Sequence, residues 1–140
     1  MVEVAVLVVV LAGATGFGMW RRRTDGRVTT AKSPVLAERG LATEDLGAEI
    51  GKRATLVQFS SAFCAPCRAT RQMLGHIAET IPGVSHVEID AESHLDLVRR
   101  LDVRRTPTTL VLDAHGHEIR RASGVPRYDE VLAVLGETVA

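Results

Sequence analysis

Two cysteines, Cys64 and Cys67, lie between a short apolar run and a longer segment with helical spacing, and they are the only cysteines in the 140-residue sequence. The run Ala54–Ser60 is rich in β-branched and apolar residues, which predicts a buried strand. Beyond the cysteines, apolar residues recur at intervals of three and four up to Ile81, where a Pro-Gly pair ends the pattern; this predicts a helix. The cysteine pair is therefore expected where a strand passes into a helix.

This location gives the two sulfurs different expected roles. A helix that begins at Cys64 directs its unpaired N–H groups and the positive end of its dipole toward that sulfur, which favours the thiolate and makes Cys64 the expected nucleophile. Cys67 lies about one helical turn further on, where the helix shields it, and is the expected resolving thiol. Pro66 fits the first turn because an N–H would find no partner there, and its fixed φ stiffens the loop.

Two other interpretations of the cysteine pair stay open. Zinc sites often use such a pair, but they need four ligands; the sequence has no second cysteine pair and its five histidines are scattered, so no metal site is expected. A purely structural disulfide also stays open, although so short a loop stabilises little. The segment His115-Gly116-His117 is expected to be a solvated hairpin turn rather than a metal site.

The remaining sequence alternates between strand and helix patterns. The expected elements are a short helix from Thr43 to about Ile50, strands over Val84–Asp90, Thr108–Asp113 and Glu118–Ala122, a helix around Leu95–Leu101 and a last helix from about Arg127 to Thr138. A strand-helix-strand unit crosses over right-handed with parallel strands, whereas the last two strands form an antiparallel hairpin. We therefore expect an α/β protein with a mixed four- to five-stranded sheet and helices on both faces.

The first twenty residues are almost entirely apolar. No charged residue occurs from Val4 to Trp20, and a helix of that length, about 25 Å, is just long enough to span a membrane. Three arginines follow at once, and no Lys or Arg precedes the run, so the positive-inside rule places the rest of the chain in the cytoplasm. We expect a single-pass anchor in a cell membrane over residues 1–20, with residues 2–20 contacting the membrane. A basic linker over 21–42 and a folded domain over 43–140 follow.

Three alternatives to this topology stay open. The small residues Ala12-Gly13-Ala14 could supply a signal-peptide cleavage site, but the segment lacks a positive n-region. A buried core helix would be expected to show a polar stripe, and none is evident. The folded domain could also face outward, on the extracytoplasmic side of the membrane.

Charge patterning narrows the classes of partner. The formal net charge is zero at pH 7, so the composition gives no indication of a nucleic-acid partner. The basic residues of 21–32 lie beside the apolar run, where they act as a stop-transfer flank or contact anionic lipid. Further along, the arginine pairs are expected on solvated faces: Arg99-Arg100, Arg104-Arg105 and Arg120-Arg121.

In these features the sequence resembles the thioredoxin superfamily over about residues 43–139. The resemblance is carried by the strand Leu56–Phe59 leading into Phe63–Cys67, by Glu88–Asp90, by Thr106-Pro107-Thr108, and by Gly116 and Gly124. It implies a thioredoxin-like three-layer sandwich in which the peptide bond before Pro107 is cis and this proline faces the cysteines. It also implies substrate contacts at Phe63, Ala65, Pro66, Thr106 and Pro107.

Several residues depart from the pattern of that superfamily. Phe63 and Ala65 replace the usual Trp and Gly beside the first cysteine, and Gln72 replaces a proline of the long helix. More importantly, Gln58 stands where thioredoxins have a buried aspartate that helps to deprotonate the resolving cysteine. An amide cannot take up a proton, so either water does this work or a residue of the neighbouring strand does, with His86 and Glu88 as the candidates.

The resemblance implies a thiol-disulfide oxidoreductase that exchanges electrons with protein substrates through the Cys64-Ala-Pro-Cys67 centre. The redox-active Cys64–Cys67 disulfide would be its only redox group, so no further cofactor is expected. Its partners would be protein disulfides or dithiols and a separate reductase that donates electrons. The alternative is a membrane-tethered adaptor or redox sensor of thioredoxin fold, which binds a partner without turnover.

Overall fold

The computed structural model describes residues 1–30 and 39–139. Its elements are α1 Val2–Thr24, β1 Val28–Thr29, α2 Thr43–Leu46, β2 Ala54–Ser60, α3 Ala65–Thr80, β3 Val84–Asp90, α4 Leu95–Arg100, β4 Thr108–Asp113, β5 Glu118–Ser123 and α5 Tyr128–Val139. The strands form one sheet in the order β1-β5-β4-β2-β3, in which β2 and β3 are parallel and the other neighbours antiparallel. The expected mixed α/β sheet with helices is confirmed.

The strand β2 lies between β3 and β4, and all seven of its residues are buried. Its side chains alternate between two cores. Leu56 packs with residues of α3 and α5, whereas Val57 and Phe59 pack with residues of α2 and α4. An almost uninterrupted apolar strand is what a sheet covered on both faces requires. The three layers place the carboxyl end of β2 at the start of α3, which carries the cysteines.

Two boundaries differ from the sequence predictions. The helix α2 ends at Leu46 rather than near Ile50, because Gly47 adopts a left-handed conformation with φ 63°. The sequence also predicts a linker over residues 21–42, but Val28–Thr29 pairs with β5 as a short edge strand. A two-residue strand has no periodicity to detect, and its partner lies more than ninety residues away. Residues 31–38 of the predicted linker lie outside the described residues.

The helix α1 is longer than the predicted span and continues through Arg21–Arg23 to Thr24. At about 1.5 Å per residue, its 23 residues extend about 35 Å. None of its residues is buried, and by length and composition it could cross a membrane. Its apolar side chains are therefore exposed, and Phe17 and Trp20 contact each other with their ring centroids 5.9 Å apart.

The end of α1 is attached to the folded domain by polar contacts. Asp25 forms an ion pair with Arg105 at 3.0 Å, and the Gly26 N–H donates to the Ser123 carbonyl at 2.9 Å. The Val28 N–H donates to Oε2 of Glu130 at 2.8 Å. The chain therefore passes from α1 into the edge of the sheet without a free linker between them.

A buried ion pair corrects the expectation that Arg120 and Arg121 are both solvated. Arg121 is 9% exposed and donates through Nε and Nη2 to the two carboxylate oxygens of Glu118 at 2.7 and 2.8 Å. Its Nη1 donates to the Leu101 carbonyl at 2.8 Å. The neighbouring Arg120 stays near the surface, 3.5 Å from Glu137. Sequence alone does not separate the two arginines, because the burial of each depends on which distant elements pack against its face of β5.

Candidate active site

The two cysteines form a disulfide at the start of α3, with their Cα atoms 5.3 Å apart. Cys64 is partly exposed, whereas Cys67 is 2% exposed. Phe63 is completely exposed beside them. An approaching thiol or disulfide therefore reaches the sulfur of Cys64, while the helix and the sheet cover that of Cys67.

The local sequence explains why α3 begins between the cysteines. Cys64 is the N-cap residue with extended backbone angles, and Pro66 occupies the first turn, where its missing N–H costs nothing. The buried Thr70 donates its hydroxyl to the Pro66 carbonyl at 3.0 Å. A helix of 16 residues places the positive end of its dipole at Cys64, which stabilises a thiolate there.

The Thr106–Pro107 peptide bond is cis, as the resemblance implies. Its loop is held by hydrogen bonds on both sides: the Gly124 N–H donates to the Pro107 carbonyl at 2.8 Å, and the hydroxyls of Ser61 and Thr106 are 3.1 Å apart. Pro66 and Pro107 line one groove. The structure thus brings the loop between the cysteines and the cis-proline loop together, although they are some forty residues apart in sequence.

Gln58 is completely buried and joins β2 to the residue that carries the second thiol. Its Nε2 donates to the backbone carbonyl of Cys67 at 2.9 Å, so its Oε1 is left to accept a hydrogen bond. Nε2 of His86 lies 3.1 Å from that oxygen and must therefore carry the proton. Burial lowers the pKa of His86, an effect that the Glu88 carboxylate opposes, so His86 is neutral near pH 7.

Glu88 is occupied by other partners. Both of its carboxylate oxygens accept hydrogen bonds from the Arg71 guanidinium on α3, and Ser60 donates to the same carboxylate. The hydrogen bonds from Arg71 lower the pKa of Glu88, which makes this carboxylate a weaker base. Of the two predicted proton acceptors, only His86 connects to the cysteine centre through Gln58.

No side chain among residues 1–30 and 39–139 is hydrogen-bonded to the sulfur of Cys67. Nor do these residues include a cluster of three His, Cys, Asp or Glu side chains that could hold a metal ion. His115 and His117 lie in the turn between β4 and β5, and their backbone N–H groups both donate to Asp113.

A family model described as thioredoxin matches residues 40–137 of this chain. The chain belongs to the thioredoxin family. The match includes the cysteine pair, the cis-proline loop and all of the sheet except β1. The thioredoxin-like sandwich implied by the sequence resemblance is thereby confirmed.

Individual relatives are distant. Rice thioredoxin H4-1 is 28% identical over 85 residues, which cover 59% of this chain and 64% of the rice protein. Thioredoxin from Chlamydia trachomatis is 24% identical over 94 residues, covering 67% of this chain and 91% of that protein. A solved thioredoxin from Halobacterium salinarum superposes with a TM-score of 0.61 at 19% identity over 72% of this chain and 88% of that one. The match therefore spans less than two thirds of the rice relative, and the structural likeness concerns the fold.

The structure brings most of the predicted site residues to one place. Phe63, Ala65 and Pro66 border the disulfide and are exposed, and Thr106 and Pro107 lie on the facing loop. Their contacts with a substrate remain predictions. Sequence reasoning missed two contributors, Ser61 and Arg71, because each acts through a residue distant in sequence, Thr106 and Glu88 respectively. The one local feature that could have indicated such a residue is the position of Ser61 directly after the strand Ala54–Ser60.

Proposed function

We propose that this chain is a thiol-disulfide oxidoreductase that reduces disulfides of protein substrates through Cys64 and Cys67. The observation that carries the proposal is the difference in exposure between two sulfurs close enough to bond: Cys64 is accessible at a helix N-terminus and Cys67 is buried behind it. That arrangement suits a nucleophile and a resolving thiol. Membership of the thioredoxin family supports the same reaction.

The proposed reaction transfers two electrons from the dithiol to the substrate. The Cys64 thiolate attacks one sulfur of the substrate disulfide, and the other substrate sulfur leaves as a thiolate. The Cys67 thiol then loses its proton and attacks the Cys64 sulfur, which releases the second substrate thiolate. The chain is left oxidised as the Cys64–Cys67 disulfide, the substrate is reduced, and the proton from Cys67 passes to water.

A redox cycle of this kind needs an external source of electrons. We propose that a separate reductase restores the Cys64–Cys67 dithiol, because the disulfide is the only redox group expected in the chain. Substrate segments would lie across Phe63, Ala65 and Pro66, which flank the cysteines in the sequence, and along Thr106 and Pro107, which line one groove with Pro66.

We further propose that α1 anchors the domain in a membrane as a single pass. A helix of 23 residues with no buried side chain and three arginines in its last turn supports this placement. The positive-inside rule favours a cytoplasmic domain. A reporter that is active on one side of the membrane, fused after Ala140, tests the orientation: an outward signal would contradict the cytoplasmic placement.

The activity test uses the full chain in detergent micelles with insulin as the disulfide substrate and dithiothreitol as the electron donor. We expect the unmodified chain to accelerate insulin reduction and Cys64→Ser to reduce the rate to that of dithiothreitol alone. The exposed Ser93→Ala change, on the loop before α4, serves as the control and should retain the rate. Equal rates for the unmodified chain and Cys64→Ser would favour an adaptor or sensor without turnover.

A further inference from the structure

A groove of about 500 Å³ opens where the start of α3, the cis-proline loop and the end of α1 meet. Its lining includes Arg22, Asp25, Pro66, Arg105, Pro107 and Arg127. We call it the cis-proline groove. Because Pro66 lies between the two cysteines, a chain segment in this groove would lie beside the disulfide.

The wall formed by α1 is fixed to the domain. The Asp25 carboxylate, at the end of α1, pairs with Arg105, and Arg105 also donates to the Ser123 carbonyl at 2.7 Å. Gly26 lies so close to the loop before α5 that an added Cβ would be 2.0 Å from the Val125 carbonyl oxygen. This close packing holds Arg22, one turn before Gly26, at the groove.

The groove carries an excess of positive charge. Of its three arginines, Arg105 is neutralised by Asp25, and Arg127 lies 3.8 Å from Glu130. The Arg22 side chain forms no hydrogen bond or ion pair with any residue in the described ranges 1–30 and 39–139. The floor is less polar, because it includes three prolines and the half-exposed Val125. An occupant that matches this surface would combine an extended apolar backbone with negative side chains.

We propose that the cis-proline groove selects substrate segments with Asp or Glu beside the disulfide cysteine, and that Arg22 and Arg127 bind these carboxylates. The inference rests on the proposed oxidoreductase function and deepens it by naming the substrate class. Protein is favoured over lipid as the occupant because Arg21 and Arg23, which flank Arg22 on α1, do not line the groove. Lipid headgroups would meet all three arginines around the helix.

The test uses the full chain in phosphatidylcholine nanodiscs, reduced in advance and freed of reductant. Three peptides with the same internal disulfide carry Glu, Gln or Lys beside one cysteine, and the second-order rate of their reduction is measured at low ionic strength. We expect the Glu peptide to react about fivefold faster than the Gln peptide, and the Lys peptide to react more slowly than both. Added salt should reduce these ratios.

Variants assign the preference to the groove. The double variant Arg22→Gln/Arg127→Gln should bring the ratio of the Glu to the Gln rate below about twofold. The matched control Arg23→Gln/Arg99→Gln makes the same change in net charge outside the groove and should keep the ratio of the unmodified chain.

Three results would overturn the proposal. The first is a ratio near one in the unmodified chain, and the second is a ratio that persists in the double variant. If the ratio persists, and the double variant changes the reduction rate only in discs that contain phosphatidylglycerol, then lipid is the ligand of the arginines. The third is a chain that reduces none of the peptides, which would refute the oxidoreductase function as well. Reduction of the Gln peptide without a preference for Glu would refute the selectivity alone.

Discussion

Nε2 of Gln58 donates a hydrogen bond to the backbone carbonyl oxygen of Cys67 at 2.9 Å, and this contact joins the centre of the sheet to the residue that carries the second thiol. The variant Gln58→Met keeps the length of the side chain but leaves the His86 N–H without its acceptor. We expect the free energy of unfolding, measured with urea, to fall by about 1–3 kcal/mol.

The control for this prediction is Gln72→Met, the same substitution at an exposed position of α3. It should change the free energy of unfolding by less than about 0.5 kcal/mol. Equal stabilities of Gln58→Met and Gln72→Met would show that the buried amide does not stabilise the fold.

The burial of His86 predicts how stability depends on pH. Because its pKa is lower in the folded chain than in the unfolded chain, the unfolded state binds more protons below about pH 6.5. The contribution of neutral His86 to the free energy of unfolding should therefore be complete above that pH, and it should be lost as pH falls through the folded pKa. We expect His86→Asn, which does not titrate, to flatten the dependence measured by urea unfolding between pH 7 and 5. The exposed His76→Asn should leave it unchanged, and a slope that persists in His86→Asn would contradict the assignment.

Trapping of a mixed disulfide tests the order of attack. With Cys67→Ser, the bond between Cys64 and a substrate cannot be resolved, so an adduct with an insulin chain should accumulate. Mass spectrometry should detect it and dithiothreitol should remove it. In Cys64→Ser the remaining thiol is that of Cys67, which is 2% exposed, so little adduct is expected. Equal adduct yields in the two variants would show that exposure does not select the nucleophile.

The attachment of α1 depends on Gly26, whose φ of 76° and close approach to Val125 both disfavour a side chain. We expect Gly26→Ala to release β1 from β5 and to speed hydrogen exchange of residues 25–29 at least about fivefold. Exchange in β2 should not change. Gly136→Ala, on α5 with no atom within 4 Å of the new Cβ, is the control. If hydrogen exchange at residues 25–29 is unchanged in Gly26→Ala, then the close packing at Gly26 does not hold β1 against β5.

Because Arg121 and Glu118 form a buried ion pair, we expect a single variant to lose much more free energy of unfolding than the double variant. Arg121→Met leaves an unpaired buried carboxylate and should lower the free energy of unfolding by about 3–5 kcal/mol. Adding Glu118→Leu removes that charge and should recover most of the loss. Thermal or urea unfolding measures both variants, with the exposed Arg99→Met as control. A double variant that is less stable than Arg121→Met would contradict this account.

Local patterns in the sequence determined much of the domain. The bounds of β2, β3 and β4 agree with the predictions from the apolar runs, because each strand is a short apolar or alternating segment between clear turn residues. The cysteine pair was likewise identifiable from its location between a strand and a helix. These features depend on residues close together in the chain, so one sequence is enough to predict them.

Only the tertiary structure decided which distant side chains meet. In the folded chain, β1 pairs with β5, and His86 forms a hydrogen bond with Gln58. Glu88 pairs with Arg71. Arg121 is buried, whereas Arg120 stays near the surface. Each of these contacts depends on strand order and register, which bring together residues that no local pattern relates. The sequence alone therefore indicated the expected chemistry of Cys64. The surfaces that would contact its substrate are formed only in the folded chain.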